Sequence, residues 1–272
     1  MDLDGIDAIG RTAFEVALLR AAEDRRPDRL AADPCARLFL EAAGITEEKP
    51  DFAALMGPQV AVRTRFLDDA LVSAGCGQVV LVASGMDGRP WRLGWPAGTE
   101  VFEVDQAPVL RFKDAAAAAL TARCVRRPVV ADLRADWAVP LREAGFRPDR
   151  PTAWLTEGLL YALDEAAADG LLATITGLSA AGSTLAFDHV ETSDALRAAI
   201  GPDLARLWRS GPVDPARWLT RHGWEPDVGE LADVAAKYGR RIHPAYDPAA
   251  GGTARAWLGR AVLAHRGKGI DP

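Results

Sequence analysis

Residues 77–106 read GQVVLVASGMDGRPWRLGWPAGTEVFEVDQ, and the fold turns on this stretch. Val79 to Ala83 is an apolar, β-branched run too short for a helix, the mark of a strand buried on both faces of a parallel sheet. A turn bearing Gly85 and Gly88 follows, then a short amphipathic segment through Trp91 and Leu93. A second run, Val101 to Val104, ends on Asp105. A strand, a glycine turn and an acid about twenty residues on form the layout of a nucleotide-type half-site, in which the carboxylate takes ribose hydroxyls.

The acids narrow the choice of cofactor. A dinucleotide site needs GxGxxG, because bare backbone must approach a pyrophosphate at a helix N-terminus. Here Ala83 stands at the first glycine position and Asp87 lies in the turn itself. A carboxylate beside a diphosphate would repel it, which disfavours a nicotinamide oxidoreductase. Further acids stand where later strands should end, Asp132 after VVA and Glu157 after TAWLT. Open α/β sheets bind ligands at the carboxyl ends of their strands. An edge formed by Asp87, Asp105, Asp132 and Glu157 suits a ligand that carries positive charge and no phosphate. S-adenosylmethionine, a sulfonium with an ammonium and a ribose, meets that description. Singly, each position also has a structural reading: Gly85 as a tight-turn glycine, Asp105 as a helix N-cap, Asp132 as a cap or turn acid. Acids at four successive strand ends favour the functional one.

The composition fits a single α/β domain with elaborations, since 272 residues at 49% hydrophobic content bury a full core. A net charge of −6 excludes general attraction to nucleic acid or an anionic membrane. Cys35, Cys76 and Cys124 are odd in number and widely spaced, against a disulfide frame or a zinc site. No apolar run approaches membrane-spanning length, and MDLDGID is acidic where a signal peptide starts basic. The expectation is a soluble cytoplasmic protein without metal. No feature of the sequence speaks to an oligomeric state.

Taken in order, Thr12 to Asp24 predicts a helix capped near Thr12, and a second short helix starts at Asp33-Pro34. On the helix from Pro58 to Ala74, Val60, Leu67, Ala70, Leu71 and Ala74 share a face with Arg63 in its middle. Arg65 points away and can pair with Asp69 four residues on. A guanidinium on a packing face needs an anion: either a ligand carboxylate that Arg63 clamps or a core acid in a structural pair. Helices over 108–120, 136–144 and 164–181 alternate with strands over 125–131, 151–156 and 183–187. This alternation predicts a doubly wound, mostly parallel sheet. Residues 193–222 read as helices capping the site, and 223–264 as a strand, a helix and a last strand, an antiparallel sheet edge. The expected organisation is one domain: an N-terminal helical layer (1–76), a cofactor core (77–190), a helical cap (191–222) and a sheet edge (223–272).

At TAFEVALLRAAEDRRPDRLAADPCA, VRTRFLDDAL, QVVLVASGMDGRPWRL, VFEVDQAPVLRFK, VVADL, RPTAWLTEGLLYAL and GSTLAFDHV the sequence resembles the leucine carboxyl methyltransferase family. The likeness is to its bacterial branch, which includes tetracenomycin-type polyketide carboxyl methyltransferases. Weaker echoes follow in HGWEP and KYGRRI. The resemblance implies an S-adenosylmethionine-dependent O-methyltransferase on a seven-stranded doubly wound fold. It matches Arg63 to the arginine that clamps the methionine carboxylate and Arg20 to a second basic residue nearby. Gly85 matches the second glycine of the family's turn and Asp105 the ribose-binding acid. Asp132 and Leu133 match the pair beside adenine, and Glu157 the acid near the methionine end. One departure stands out: the family's Gly-Ala-Gly turn is here Ala83-Ser84-Gly85, and where backbone must touch the cofactor the added methyl at Ala83 is expected to weaken or shift binding.

Methyl transfer from a sulfonium chiefly requires that nucleophile, methyl and sulfur be held in line. An ionised carboxylate acceptor needs no base, whereas a hydroxyl benefits from one, and His189 or Asp188 beside it is the candidate. His189 is expected just past the fifth strand on the cleft side, where a solvated loop residue is its structural reading. Tyr161 is a candidate lining residue of the acceptor pocket, or else a core aromatic. The reading is a methyltransferase acting on a carboxylate or hydroxyl of a polyketide-like small molecule. Two alternatives stand beside it: a cofactor-binding member without turnover, motivated by Ala83, and a protein C-terminal carboxyl methyltransferase.

Overall fold

The structure is a computed structural model, and it describes residues 3–46, 49–191, 194–209 and 211–264. Helices α1 (Ala8–Asp24), α2 (Pro34–Ala43) and α3 (Pro50–Ser73) precede the first strand. Then come β1 (Gln78–Val82), α4 (Arg89–Arg92), β2 (Glu100–Asp105), α5 (Ala107–Ala116), β3 (Val125–Val130) and α6 (Ala138–Glu143). They are followed by β4 (Thr152–Thr156), α7 (Glu165–Gly177), β5 (Thr184–Val190), α8 (Asp194–Ile200), α9 (Pro202–Ala205) and α10 (Pro215–Arg221). The chain closes with β6 (Trp224–Glu230), α11 (Leu231–Lys237) and β7 (Ala256–Leu263).

The seven strands form one sheet in the order β3-β2-β1-β4-β5-β7-β6. Only β7 runs against its neighbours, antiparallel to both β5 and β6. This is the mostly parallel, doubly wound α/β sheet with an antiparallel edge that the sequence predicts. The strand period of two places alternate residues on opposite faces. Val80, Phe102 and Trp154 meet Leu141 of α6, Leu171, Leu172 and Ile175 of α7, and Leu219 of α10. Val79, Leu81, Val101 and Leu155 meet Leu67 and Leu71 of α3 on the other face. Every residue of β1 is buried, which is why it reads as an unbroken apolar run.

Several boundaries differ from the sequence reading. Helix α1 begins one turn early, because Asp7 rather than Thr12 is the cap, its side chain accepting from the Gly10 N–H at 2.8 Å. Helix α3 starts at Pro50 and carries Pro58 inside it. Pro58 withdraws one backbone bond, and the helix continues because Leu55, Met56, Val60, Val62 and Leu67 around it are buried. Helix α4 is only four residues long. Strand β5 runs three residues beyond Phe187, held by antiparallel pairs Asp188–Leu258, His189–Trp257 and Val190–Ala256. The expected helical segment 193–222 includes residues 193 and 210, which lie outside the described residues. No helix among the described residues is long and apolar enough to cross a membrane.

Candidate active site

A cavity of about 300 Å³ opens at the carboxyl ends of β1, β2, β3 and β4. Helices α1 and α3 wall it with Val16, Leu19, Phe52 and Met56, and Leu207 and Trp208 add to that apolar side. Arg20, Arg63, Ala83, Gly85, Asp105, Asp132, Leu133, Glu157 and Tyr161 all line it. Residues spread over more than a hundred positions of sequence are thus brought onto one surface.

The turn after β1 is built for close approach. Ala83 has φ +54° and Gly85 φ +45°, and Ala83 is the only non-glycine residue at positive φ among the described residues. A Cβ at position 85 would come within 2.9 Å of Ala13 Cβ on α1, so glycine there lets the helix sit on the turn. The Asp105 carboxylate ties this turn to β2, accepting from the Gly85 N–H and the Gln106 N–H, each at 2.7 Å. Burial pushes the Asp105 pKa up, and the two N–H donors pull against that rise. Each carboxylate oxygen keeps a free lone pair for a further donor such as a ribose hydroxyl.

At the other end of the cavity the charges interlock. Glu157 Oε1 lies 2.5 Å from Arg20 Nη2 and 2.9 Å from Arg63 Nε, although the Arg63 N–H is not aimed along that line. Glu157 Oε2 accepts from Arg89 Nη1 at 2.7 Å. Arg89 also reaches Asp87 at 2.5 Å and Asp68 at 2.7 Å, and Arg92 reaches Asp68 at 2.5 Å. Arg63 Nη1 donates to Asp188 Oδ2 at 3.0 Å, and the other Asp188 oxygen accepts from the Gly158 N–H at 2.6 Å. Burial alone would raise the Glu157 pKa, but Arg20, Arg89 and Arg63 hold it well below the usual carboxylate range. Burial opposes and Arg89 and Arg20 prevail at Asp87, whose pKa is lowered. At Asp188 burial wins over Arg63, and the pKa is raised.

This network corrects the electrostatic picture drawn from the sequence. The four acids do stand at the cavity, but Asp87 and Glu157 are buried partners of arginines rather than a bare negative edge. Asp132 is more exposed and pairs with Arg134 at 2.6 Å, and hydrogen bonds from Arg134 depress its pKa to about 2. Arg63 both lines the cavity and has the core-acid partners of its structural reading. Arg65 pairs with Asp69 at 2.8 Å as its spacing predicts.

His189 is placed differently from the expectation. It sits inside β5, 1% exposed, and is not among the described residues that line the cavity. Its ring stacks on Trp257 of β7 with centroids 5.7 Å apart, and burial lowers its pKa to about 4. The extension of β5 by pairing with β7 is what carries it into the sheet. Tyr161 is buried beside Trp208, ring centroids 4.5 Å apart, and burial raises its phenol pKa.

Sequence reasoning passed over Arg89, Arg92, Asp68 and Trp208. For Arg89 a signal existed: it follows Asp87 by two residues in the turn, close enough to neutralise it. The partners of Arg92 and the approach of Trp208 depend on long-range packing and leave no local mark.

The cavity carries groups of both signs at one end and a carboxylate at the end of β2, groups of the kind that could hold a zwitterionic amino acid joined to a ribose. Arg20 and Arg63 offer positive charge and Glu157 negative charge at one end, with Asp105 facing the cavity between them and the Asp132–Leu133 pair. The profile of the leucine carboxyl methyltransferase family matches residues 13–176. A predicted S-adenosyl-L-methionine-dependent methyltransferase of Rhodococcus jostii is 42% identical over 269 residues, covering 88% of this chain and 90% of that protein. One of the same description from Saccharopolyspora erythraea is 43% identical over 261 residues, covering 88% and 91%. Among solved structures, a DUF574 family protein of Streptomyces avermitilis aligns with TM-score 0.54 at 16% identity, over 87% of this chain and 99% of its own. A geranyl diphosphate methyltransferase in complex with GPP and sinefungin aligns with TM-score 0.52 at 15% identity, over 92% and 99%. At such identities the two structures speak for the fold alone. By profile and by sequence identity, the chain belongs to the leucine carboxyl methyltransferase family, enzymes that transfer a methyl group from S-adenosylmethionine.

Proposed function

We propose that this methyltransferase is an O-methyltransferase of the tetracenomycin-type bacterial branch, acting in the cytoplasm on a carboxylate or hydroxyl of a polyketide-like small molecule. A carboxylate is the favoured acceptor. The observation that carries this choice is the make-up of the cavity lining: among the described residues it includes no His, Cys or Lys, and its acids Asp87, Glu157 and Asp132 are tied up with arginines. The Tyr161 phenol is raised by burial and is no base near neutral pH. A hydroxyl acceptor would need its proton removed, whereas a carboxylate arrives ionised. The apolar wall of Val16, Leu19, Phe52, Met56, Leu207 and Trp208 supports an acceptor with an apolar body.

In this reading Arg20 and Arg63 hold the cofactor's carboxylate and Glu157 its ammonium. Asp105 holds the ribose hydroxyls, with the backbone at Ala83 and Gly85 close by. Asp132 and Leu133 flank the adenine. When bound, S-adenosylmethionine supplies a methyl group already activated by its sulfonium. The chain's own work is to orient the acceptor and to keep water out. Tyr161, packed on Trp208, and the apolar wall do both. The described residues of 191–222 are the acceptor-side cap in this scheme, over the cofactor half in 77–190.

The test uses methyl-tritiated S-adenosylmethionine with a panel of aromatic polyketide acids, their hydroxyl-only analogues and short C-terminal peptides. A methyl ester releases tritiated methanol in mild base, and that result with the acids is expected. Label stable to base points to hydroxyl methylation, and label only on peptides to the protein-modifying alternative. If calorimetry detects no cofactor binding, the proposal fails as a whole.

A further inference from the structure

Tyr246 stands behind the cavity, and none of residues 238–255 is among the described residues that line it. It is nevertheless 3% exposed and belongs to the same buried cluster as Met56, Tyr161 and Trp208. Its hydroxyl donates to Met56 Sδ at 3.5 Å, a thioether being a weak acceptor. Burial raises the phenol pKa, so the group keeps its proton near neutral pH and serves as a donor.

Met56 is the wall residue most in need of such a hold. It lies on α3 and lines the cavity. Pro58, two residues on, has no N–H, so the backbone bond to the Ala54 carbonyl is missing from the turn that carries Met56. The side chain itself is unbranched and has three rotatable bonds, which lets it sample several rotamers unless something fixes it.

The phenol is delivered by a loop bonded to itself. Between α11 and β7 the chain makes two short 3-10 turns, Pro244–Tyr246 and Pro248–Ala250. The Tyr246 N–H donates to the His243 carbonyl at 2.9 Å, and the Ala245 N–H to His243 Nδ1 at 3.1 Å. The Gly252 N–H donates to the Asp247 carbonyl at 2.9 Å, and the Ala254 N–H to the Ala245 carbonyl at 3.0 Å. A Cβ at Gly252 would run into the Pro244 and Ala245 carbonyl oxygens, so the two limbs of the loop close only around glycine. A loop that contributes no lining residue among those described thus reaches the cavity through one hydrogen bond to one wall side chain.

We propose, on the reading that the apolar wall faces the acceptor, that Tyr246 is a positioning residue: its phenol holds the Met56 thioether in one rotamer and so sets the depth of the acceptor pocket. Tyr246 touches no reacting atom and transfers no proton in this scheme.

The test uses protein labelled with methyl-13C-methionine. Met56→Leu assigns the Met56 resonance, and Met86, buried in a different cluster, is the control. Tyr246→Phe removes one oxygen and keeps the ring. In it the Met56 methyl resonance should move towards the rotamer-averaged position of free methionine, with Met86 unmoved. Gly252→Ala, which pushes the loop limbs apart with the phenol intact, should move it in the same direction. Binding of 1-naphthoate, an apolar ring system bearing a carboxylate, is measured by calorimetry on protein saturated with S-adenosylhomocysteine. Its Kd should rise about 2- to 10-fold in Tyr246→Phe, the factor for one modest hydrogen bond, while affinity for S-adenosylhomocysteine is unchanged. In the Met56→Leu background, Tyr246→Phe should have no further effect on that Kd. An unmoved Met56 resonance in either variant, an equal shift of Met86, an unchanged Kd, or a full effect in the Met56→Leu background overturns the proposal. Failure of wild type to bind S-adenosylhomocysteine or 1-naphthoate would instead defeat the functional reading, and the Met56 resonance would still decide whether Tyr246 holds the thioether.

Discussion

The Gly85 N–H and the Asp105 carboxylate meet at 2.7 Å, so the turn after β1 is fastened to the last residue of β2 by one charged acceptor. Asp105→Asn keeps the shape but removes the charge and replaces one acceptor by a donor facing an N–H. Cofactor affinity should fall about 10- to 100-fold, as for a lost charge-assisted hydrogen bond, and stability by about 1–2 kcal/mol. Calorimetry with S-adenosylmethionine and urea unfolding read the two effects. Unchanged affinity would remove Asp105 from the site.

Arg89 is fully buried and serves Asp68, Asp87 and Glu157 together. Arg89→Met leaves these acids short of a countercharge, and the expected cost is about 3–5 kcal/mol. Arg65→Met removes an exposed pair with Asp69 and should cost less than about 0.5 kcal/mol. Urea unfolding of both variants gives the contrast. Equal losses would mean that the buried lattice contributes no more than a surface pair.

Ala83 holds a left-handed backbone that its Cβ opposes. Ala83→Gly relieves that strain and should raise stability by about 0.5–1 kcal/mol, or about 2 °C in Tm. A glycine that lowered Tm would show that the alanine methyl contributes more by packing than it costs in strain.

His189 carries a pH signature. Its folded pKa, about 4, lies below the unfolded value near 6.5, so the unfolded chain takes up the proton first. The histidine's contribution is fully present above about pH 6.5 and is lost as pH falls towards 4, about 3 kcal/mol across that window. The drop in Tm between pH 7 and 5 should therefore be smaller in His189→Gln than in wild type. Parallel curves would place the ring in a wetter setting than β5.

The sheet was legible because burial on both faces writes itself as β-branched runs such as Val79 to Val82. The cavity was legible because parallel strands deliver their last residues to one edge, which brings Asp105, Asp132 and Glu157 together. Asp188 and His189 misled, since two polar residues after an apolar run look like a loop. Both are buried, one by pairing with Arg63 and the other by stacking on Trp257. Arg20 and Glu157 lie 137 positions apart, and no local pattern announces such a pair. The sequence places the start of α3 at Pro58, and burial of Leu55 and Met56 carries the helix back to Pro50.

The charged lattice under Glu157 and the greasy wall of Phe52, Met56 and Trp208 use different side chains, even where α1 and α3 carry both. Substitutions that reshape the wall leave the anchors of the methyl donor standing, whereas any change in the lattice shakes turn, strand end and helix at once. Diversification of what the enzyme modifies has an open road through α1, α3 and the tract around Trp208, while the donor it consumes is locked in by the foundations.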